Sequence, residues 1–223
     1  MIIPVITIDG PGGSGKGTVA LAVARELGWH YLDSGSLYRL LAFAALKRNI
    51  ALDDAESLVG LSGQLACDCR LPTVTDPSVW LDGREVTAEL RTESVGAAAS
   101  QIAALPAVRA ALLDWQRSYR KSPGLVADGR DMGSVIFPDA ELKIFLTASP
   151  QVRAERRYNQ LKDIGKESDL ASLISEVEAR DRRDATRASA PLKRAPDTLI
   201  LDNSDQDVMA TVVAVLEAAH KKF

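Results

Sequence analysis

A lysine that ends a run of glycines is the first feature of the chain with chemical consequences. Gly10-Pro11-Gly12-Gly13-Ser14-Gly15-Lys16-Gly17-Thr18 follows the apolar run Val5-Ile6-Thr7-Ile8 and leads into a helical pattern from Val19 to Leu27. Strand, glycine-rich turn, lysine and helix together make a phosphate cradle. Glycines let backbone N–H groups turn toward phosphate oxygens, the helix N-terminus adds partial positive charge, and the lysine reaches the outer phosphates. The alternative is a strand–helix joint that happens to be glycine-rich. It leaves unexplained why Lys16 directly follows the last glycine of a G-x-x-x-x-G-K frame. The usual frame continues with Ser or Thr to hold Mg2+; here Gly17 takes that place and the hydroxyl comes one residue later, at Thr18.

Two further loops put charge beside glycine just after a short apolar run. Asp33-Ser34-Gly35-Ser36-Leu37-Tyr38-Arg39 follows His30-Tyr31-Leu32, and Asp128-Gly129-Arg130-Asp131-Met132-Gly133 follows Leu125-Val126-Ala127. Helix capping by Ser34 or Ser36 and turn formation at Gly129 and Gly133 are the structural alternatives. They account less well for Arg130-Asp131, because opposite charges at a strand end need a buried partner or a ligand. Asp128 closes an apolar strand, where an acid can orient Mg2+ through water, or act simply as a turn residue. In Glu176–Arg187, helical spacing puts Arg180, Arg183, Asp184 and Arg187 on one face, with Arg182 elsewhere. Acids balance arginines there, which argues against a nucleic-acid stripe. A solvated helix laced with ion pairs is the other reading.

Phosphoryl transfer needs positioning and charge stabilisation by Lys, Arg and Mg2+. An acceptor that is itself a phosphate needs extra cations to bring two anions together, and the planar arginine fork binds phosphate bidentately. Lys16, Arg39, Arg130, Arg180 and Arg187, all at expected rim positions, suit a phosphate acceptor better than a sugar hydroxyl.

The elements that must position these residues read as an α/β protein. Apolar strands are expected at Val5–Ile8, His30–Leu32, Leu125–Asp128, Leu142–Leu146 and Thr198–Leu201, alternating with helices. That pattern predicts a P-loop, doubly wound, five-stranded parallel sheet with helices on both faces and ligands at the strands' C-terminal ends. Between Cys67 and Leu90 the period changes to alternation. Val79-Trp80-Leu81 and Arg84-Glu85-Val86 flank Asp82-Gly83, a two-residue hairpin signal. A small antiparallel β-containing insert therefore interrupts the core. Helices are expected at Thr92–Ala104, Val108–Ser118, about Asp169–Ala188 and Asp205–His220. The 223 residues carry a net charge of −3, which gives no pull toward nucleic acid or membranes. Cys67 and Cys69, one residue apart, form a pair that rarely bridges, and with only two histidines there is no zinc set. No apolar run approaches the roughly 18 residues of a membrane span, and no leader is evident, so cytoplasm is the expected compartment.

With these residues in view the chain resembles bacterial-type cytidylate kinases, a branch of the nucleoside monophosphate kinases. The matching stretches are ITIDGPGGSGKGT, YLDSGSLYR, LVADGRDMGSVIFPDAELKIFLTAS and RDRRDATRASAPL, spread from residue 6 to residue 192. Lysine-glycine-threonine is also a trait of small nucleotide kinases. The resemblance implies transfer of the ATP γ-phosphoryl group, with Mg2+, to CMP or dCMP, in pyrimidine nucleotide metabolism. It implies a core of 1–60 and 101–223, a CMP-binding insert at 61–100, a short lid at about 153–166, and a monomer. Gly10 to Thr18 would hold ATP, with Thr18 and Asp128 near the metal. Arg39, Arg130 and Arg187 would hold the CMP phosphate; Lys16, Arg130 and Arg187 form the catalytic set. Ser34, Arg109 and Asp131 would read cytosine, and Arg180 with Asp184 the sugar. Among Arg153, Arg156 and Arg157 one or two would touch ATP, with Arg157 the residue chosen. Other readings are a kinase of UMP or AMP, a nucleotide-binding regulator without catalysis, or a partner-binding insert.

Overall fold

The computed structural model describes residues 2–163, 165–186 and 190–223, with the side chains of 66–68 left aside. The side chain of Cys67, expected not to bridge Cys69, and all of Arg187 lie outside the described residues.

Five strands form one parallel sheet: β1 (Val5–Asp9), β2 (His30–Asp33), β6 (Leu125–Gly129), β7 (Leu142–Thr147) and β8 (Leu199–Asp202), in the order β2-β6-β1-β7-β8. All residues of β1 are buried, as expected for a central strand covered on both faces. From β1 the chain proceeds to one side of the sheet, whereas β7 and β8 extend the other. The order therefore reverses between β1 and β7, where an open α/β sheet offers its ligand crevice. The register of β1 on β7 runs from Ile6 opposite Leu142 to Asp9 opposite Phe145. The short strands β3 (Cys69–Arg70), β4 (Trp80–Leu81) and β5 (Arg84–Glu85) make a separate antiparallel sheet. Its Asp82-Gly83 turn has φ of 51° and 75°, the double positive φ that a tight primed hairpin turn requires.

The chain divides into two compact units. One contains Met1–Pro4 and Ala24–Ala127, the other Val5–Val23 and Asp128–Phe223. The first carries α2 (Ser34–Lys47), α3 (Ala55–Asp68), the small sheet, α4 (Thr87–Leu90), α5 (Glu93–Ile102) and α6 (Pro106–Arg117). Asp33 caps α2, its carboxylate accepting from the Ser36 N–H at 3.1 Å and the Ser36 hydroxyl at 2.6 Å. The cap is therefore Asp33 rather than either serine. Ten residues of α2 are buried, led by Leu37, Leu40 and Leu41.

The second unit carries α1 (Lys16–Leu27) up to Val23, together with α7 (Pro150–Asp163), α8 (Leu170–Thr186) and α9 (Val208–His220). Leu173 of α8 is buried with Ala154 and Leu161 of α7, and Tyr158, Leu170, Ile174 and Val177 pack around them. The stripe 170, 173, 174, 177 continues at helical spacing to 180, 181 and 184, so apolar packing of the first half aims the charged second half. Arg183, placed on that face by spacing, is exposed. Residues 132–136 form one π-helical turn that sequence periodicity did not anticipate.

Gly124 lies against Trp29 within the first unit. A Cβ built there would stand 2.4 Å from the indole, while the Gly124 carbonyl accepts from the His30 N–H at 2.9 Å and holds the backbone in place. Gly124→Ala should therefore displace the ring and cost about 1–3 kcal/mol. Urea unfolding and a shift in tryptophan emission check this.

Candidate active site

The phosphate loop lies where β1 ends and α1 begins. Gly13 and Gly15 have φ of +79° and +84°, and Lys16 is the first residue of α1. That left-handed backbone favours glycine. It turns successive N–H groups into the concave face of an anion nest, at the positive end of a helix. The Lys16 ammonium donates to the Pro11 carbonyl at 3.3 Å and thus folds back over the loop. Thr18 is exposed on the first turn of α1, whereas Asp128 is buried at the end of β6.

Arg130 and Arg180 come close to Gly12 of this loop. A Cβ on Gly12 would lie 3.3 Å from Nη1 of Arg180 and 3.4 Å from Nη2 of Arg130. Arg130 is aimed by Asp184, which accepts from its Nε at 2.8 Å, with both side chains largely buried. Asp184 therefore meets a guanidinium, beyond the sugar role expected of it. Asp131 is buried directly beside Arg130.

The other acceptor-side candidates belong to the first unit. Ser34 is buried at the start of α2. Arg39 donates to the Leu90 carbonyl at 2.7 Å, and a Cβ on Gly96 would come within 3.1 Å of its Nη1, so a glycine makes room for the guanidinium. Arg109, nine-tenths buried, donates to the Ala103 carbonyl at 3.2 Å and stacks 5.7 Å over the Tyr38 ring. Tyr38 is one turn after Ser34 on α2, so Ser34 and the ring under Arg109 share a face.

Several residues of the site were not legible beforehand. Asp9 is buried at the end of β1, and its two carboxylate oxygens accept from the N–H groups of Met132 and Gly133, each at 2.8 Å. It thereby caps the loop that bears Arg130 and Asp131. Arg153 and Arg156, two of the three arginines of which one or two are expected to touch ATP, make contacts inside the second unit. Arg153 donates to the Gly12 and Ala148 carbonyls at 3.0 Å and 2.9 Å and forms a paired bridge to Asp181. Arg156 donates to the carbonyl of Asn203 at 2.8 Å and to its side-chain oxygen at 3.2 Å. A strand-end rule applied to Asp128 could also have singled out Asp9 and Asn203, which close or follow β1 and β8.

Among the described residues no group of three or more His, Cys, Asp or Glu could hold a metal by itself. A hard cation that takes most of its oxygens from phosphate and water does not need one. Thr18, a hydroxyl, and Asp128, a carboxylate, are oxygen donors of the type such an ion takes.

A sequence model described as cytidylate kinase matches residues 6–221. A cytidylate kinase of Pseudomonas paraeruginosa is 54% identical over 217 residues, covering 96% of this chain and 94% of that protein. One from Chromobacterium violaceum is 51% identical over 222 residues, covering 100% and 98%. A crystal structure of an uncharacterized protein from Eubacterium ventriosum shares the fold at a TM-score of 0.50 and 11% identity, over 96% of this chain and 97% of that one.

Burial pushes the Asp9 carboxyl up to about 6, with Asp131 adding to the rise and the two amide donors and Lys16 opposing it. A carboxyl that holds its proton more tightly when folded stabilises the fold below its unfolded value near 3.8. That contribution is lost as pH rises through about 6. Asp9→Asn removes this titration, so the fall in unfolding free energy between pH 4 and pH 7 should be smaller in the variant. Denaturant titrations at both pH values check it, and equal slopes would assign the titration elsewhere.

Proposed function

The chain belongs to the cytidylate kinase family, and from that premise we propose that it transfers the γ-phosphoryl group of ATP to CMP or dCMP, giving ADP and CDP or dCDP. The observation that carries the reading is the approach of Arg130 and Arg180 to Gly12 of the phosphate loop. A loop whose amides and lysine suit one polyphosphate is flanked by Arg130, suited to a second phosphate, with Arg180 adding positive charge beside it. Joining two anions requires such a concentration of positive charge.

In this reading Gly10, Pro11, Gly12, Gly13, Ser14, Gly15, Lys16, Gly17 and Thr18 bind ATP, with Arg157 over the donor. Lys16, Arg130 and Arg187 balance the charge that spreads over the migrating group. Mg2+, held by Thr18 and, through water, Asp128, would supply further neutralisation of the donor phosphates. Arg39, Arg130 and Arg187 take the CMP phosphate, Arg180 and Asp184 the sugar hydroxyls, and Ser34, Arg109 and Asp131 the base. Residues 61–100 are the CMP-binding insert and about 153–166 the lid. The protein acts as a cytoplasmic monomer on these nucleotides. No single helix among the described residues is long and apolar enough to cross a membrane.

Base choice follows from hydrogen-bond polarity. Cytosine offers a donor at N4 and acceptors at N3 and O2; a carboxylate accepts from N4, while Arg109 and Ser34 donate. Uracil presents O4 where cytosine presents N4, which leaves both that oxygen and the carboxylate unpaired, at about 1–3 kcal/mol per buried group.

Turnover with CMP, dCMP, UMP and AMP, each with ATP and Mg2+ in a coupled ADP assay, tests the assignment. CMP and dCMP should be used and UMP and AMP poorly; equal use of UMP would refute the base assignment. Asp131→Asn can turn its amide toward O4, and should lower the CMP-to-UMP ratio of kcat/KM by roughly 10- to 100-fold. Asp184→Ala should raise the KM for CMP and also lower kcat, because Arg130 loses the carboxylate that aims it, while base preference stays as it was.

A further inference from the structure

The carbonyl side of the phosphate loop is held by side chains that no role above requires. The Gly12 carbonyl accepts from Arg153 Nη1 at 3.0 Å. The Ser14 carbonyl accepts from Asn203 Nδ2 at 3.0 Å, with Arg156 Nη1 at the margin of hydrogen bonding, 3.5 Å away. Arg153 and Asn203 are almost wholly buried, at 3% and 1% exposure, so these are built contacts and not solvated arginines that happen to lie nearby. Each anchor is itself anchored. Arg153 is gripped by both oxygens of Asp181 and by the Ala148 carbonyl, and Asn203 receives two donors from Arg156. A Cβ on Gly13 would come within 3.2 Å of the Arg153 Cβ, so the side chain backs directly onto the loop.

A peptide unit is planar and trans, so its N–H points opposite to its C=O. The Gly12 carbonyl and the Gly13 N–H belong to one plane; the Ser14 carbonyl and the Gly15 N–H belong to another. Pulling the two carbonyls backward fixes the two N–H groups forward, into the nest that takes phosphate. Glycine-rich backbone is costly to order, and donors already oriented bind an anion without spending affinity on that ordering.

We propose that Arg153, Arg156 and Asn203 are positioning residues for the phosphate loop. They act through the carbonyls of Gly12 and Ser14 to aim the Gly13 and Gly15 amides at the donor's phosphates, and Asp181 holds Arg153 in place for this. The inference deepens the donor half of the proposed function and rests on reading the loop as the ATP site. It gives Arg153 and Arg156, at the start of the proposed lid, a part behind the loop.

Calorimetric binding of Mg·ADP, tripolyphosphate and CMP to the full-length protein tests it, in the native form and in Asn203→Asp and Arg153→Lys. Asn203→Asp keeps size and the acceptor for Arg156 but removes the donor to Ser14. Arg153→Lys keeps charge but cannot reach all three partners, and if it fails to fold, Asn203→Asp carries the test. The expected result is about a tenfold loss of affinity for both ADP and tripolyphosphate, with CMP affinity within about twofold of native. In turnover, the KM for ATP should rise while the KM for CMP holds. ADP and tripolyphosphate affinities within about twofold of native in the variants would overturn the proposal. So would a parallel loss for CMP, which would mark a general structural defect. ADP binding that responds as expected in a protein that does not turn over CMP would overturn the acceptor assignment alone. A native protein that binds neither ADP nor tripolyphosphate would overturn the donor reading and the support with it.

Discussion

A loop that binds phosphate with its amides must dispose of its carbonyls. The peptide plane ties the two together, and a carbonyl turned away from the ligand points into the protein, where it needs a donor. Within the phosphate loop Lys16 serves the Pro11 carbonyl, but the Gly12 and Ser14 carbonyls take donors from outside it. They come from α7 and from the residue after β8, both on the β7 side of β1. The strand order thus has a chemical consequence. It sets the start of α7 and the end of β8 next to the loop, so that the sheet's reversal point holds both the anion nest and what stiffens it.

The strand that feeds the loop also governs the next site element. Asp9 is the last residue of β1 and Gly10 the first of the loop, yet the Asp9 carboxylate faces the amides of Met132 and Gly133. The phosphate loop and the loop bearing Arg130 and Asp131 therefore share a common root in one buried strand. Gly133 is admitted because a Cβ would meet the Thr7 hydroxyl at 2.7 Å, and Thr7 and Asp9 project from the same face of β1. Any shift of β1 moves both loops together.

What could be read from the sequence was local. The phosphate loop, the Asp82-Gly83 hairpin and the parallel strands carry their signals within a few consecutive residues, and each is present. The first-unit candidates Arg39 and Arg109 sit in specific pockets made by Gly96 and Tyr38, which lie far along the chain and left no local sign. Asp9 is separated from Met132 by 123 residues, a distance across which spacing says nothing. Arg153, Arg156 and Arg157 read as one charged patch because they follow one another within a turn. Burial separates Arg153 from the others, and burial depends on how α8 packs through Leu173 and its neighbours. The strands of the small sheet are two residues each, too short for alternation to fix their ends.

The arginines of the second unit show how a chain of net charge −3 can concentrate cations at one loop. A guanidinium has two distinct edges, and a carboxylate on one leaves the other available. Asp184 occupies the Nε of Arg130, while the Nη2 of the same fork lies against Gly12. Asp181 grips Arg153 by both terminal nitrogens, while Nη1 also serves the Gly12 carbonyl and Nε serves Ala148. Asp184 thus leaves Nη2 of Arg130 toward the loop, whereas Nη1 of Arg153, which carries two hydrogens, serves Asp181 and the Gly12 carbonyl together. Lysine, a point charge with no fixed edges, could not be aimed in this way. The charges of α8 look in sequence like those of a solvated helix, but Asp181 and Asp184 pair with arginines from outside it, Arg153 and Arg130.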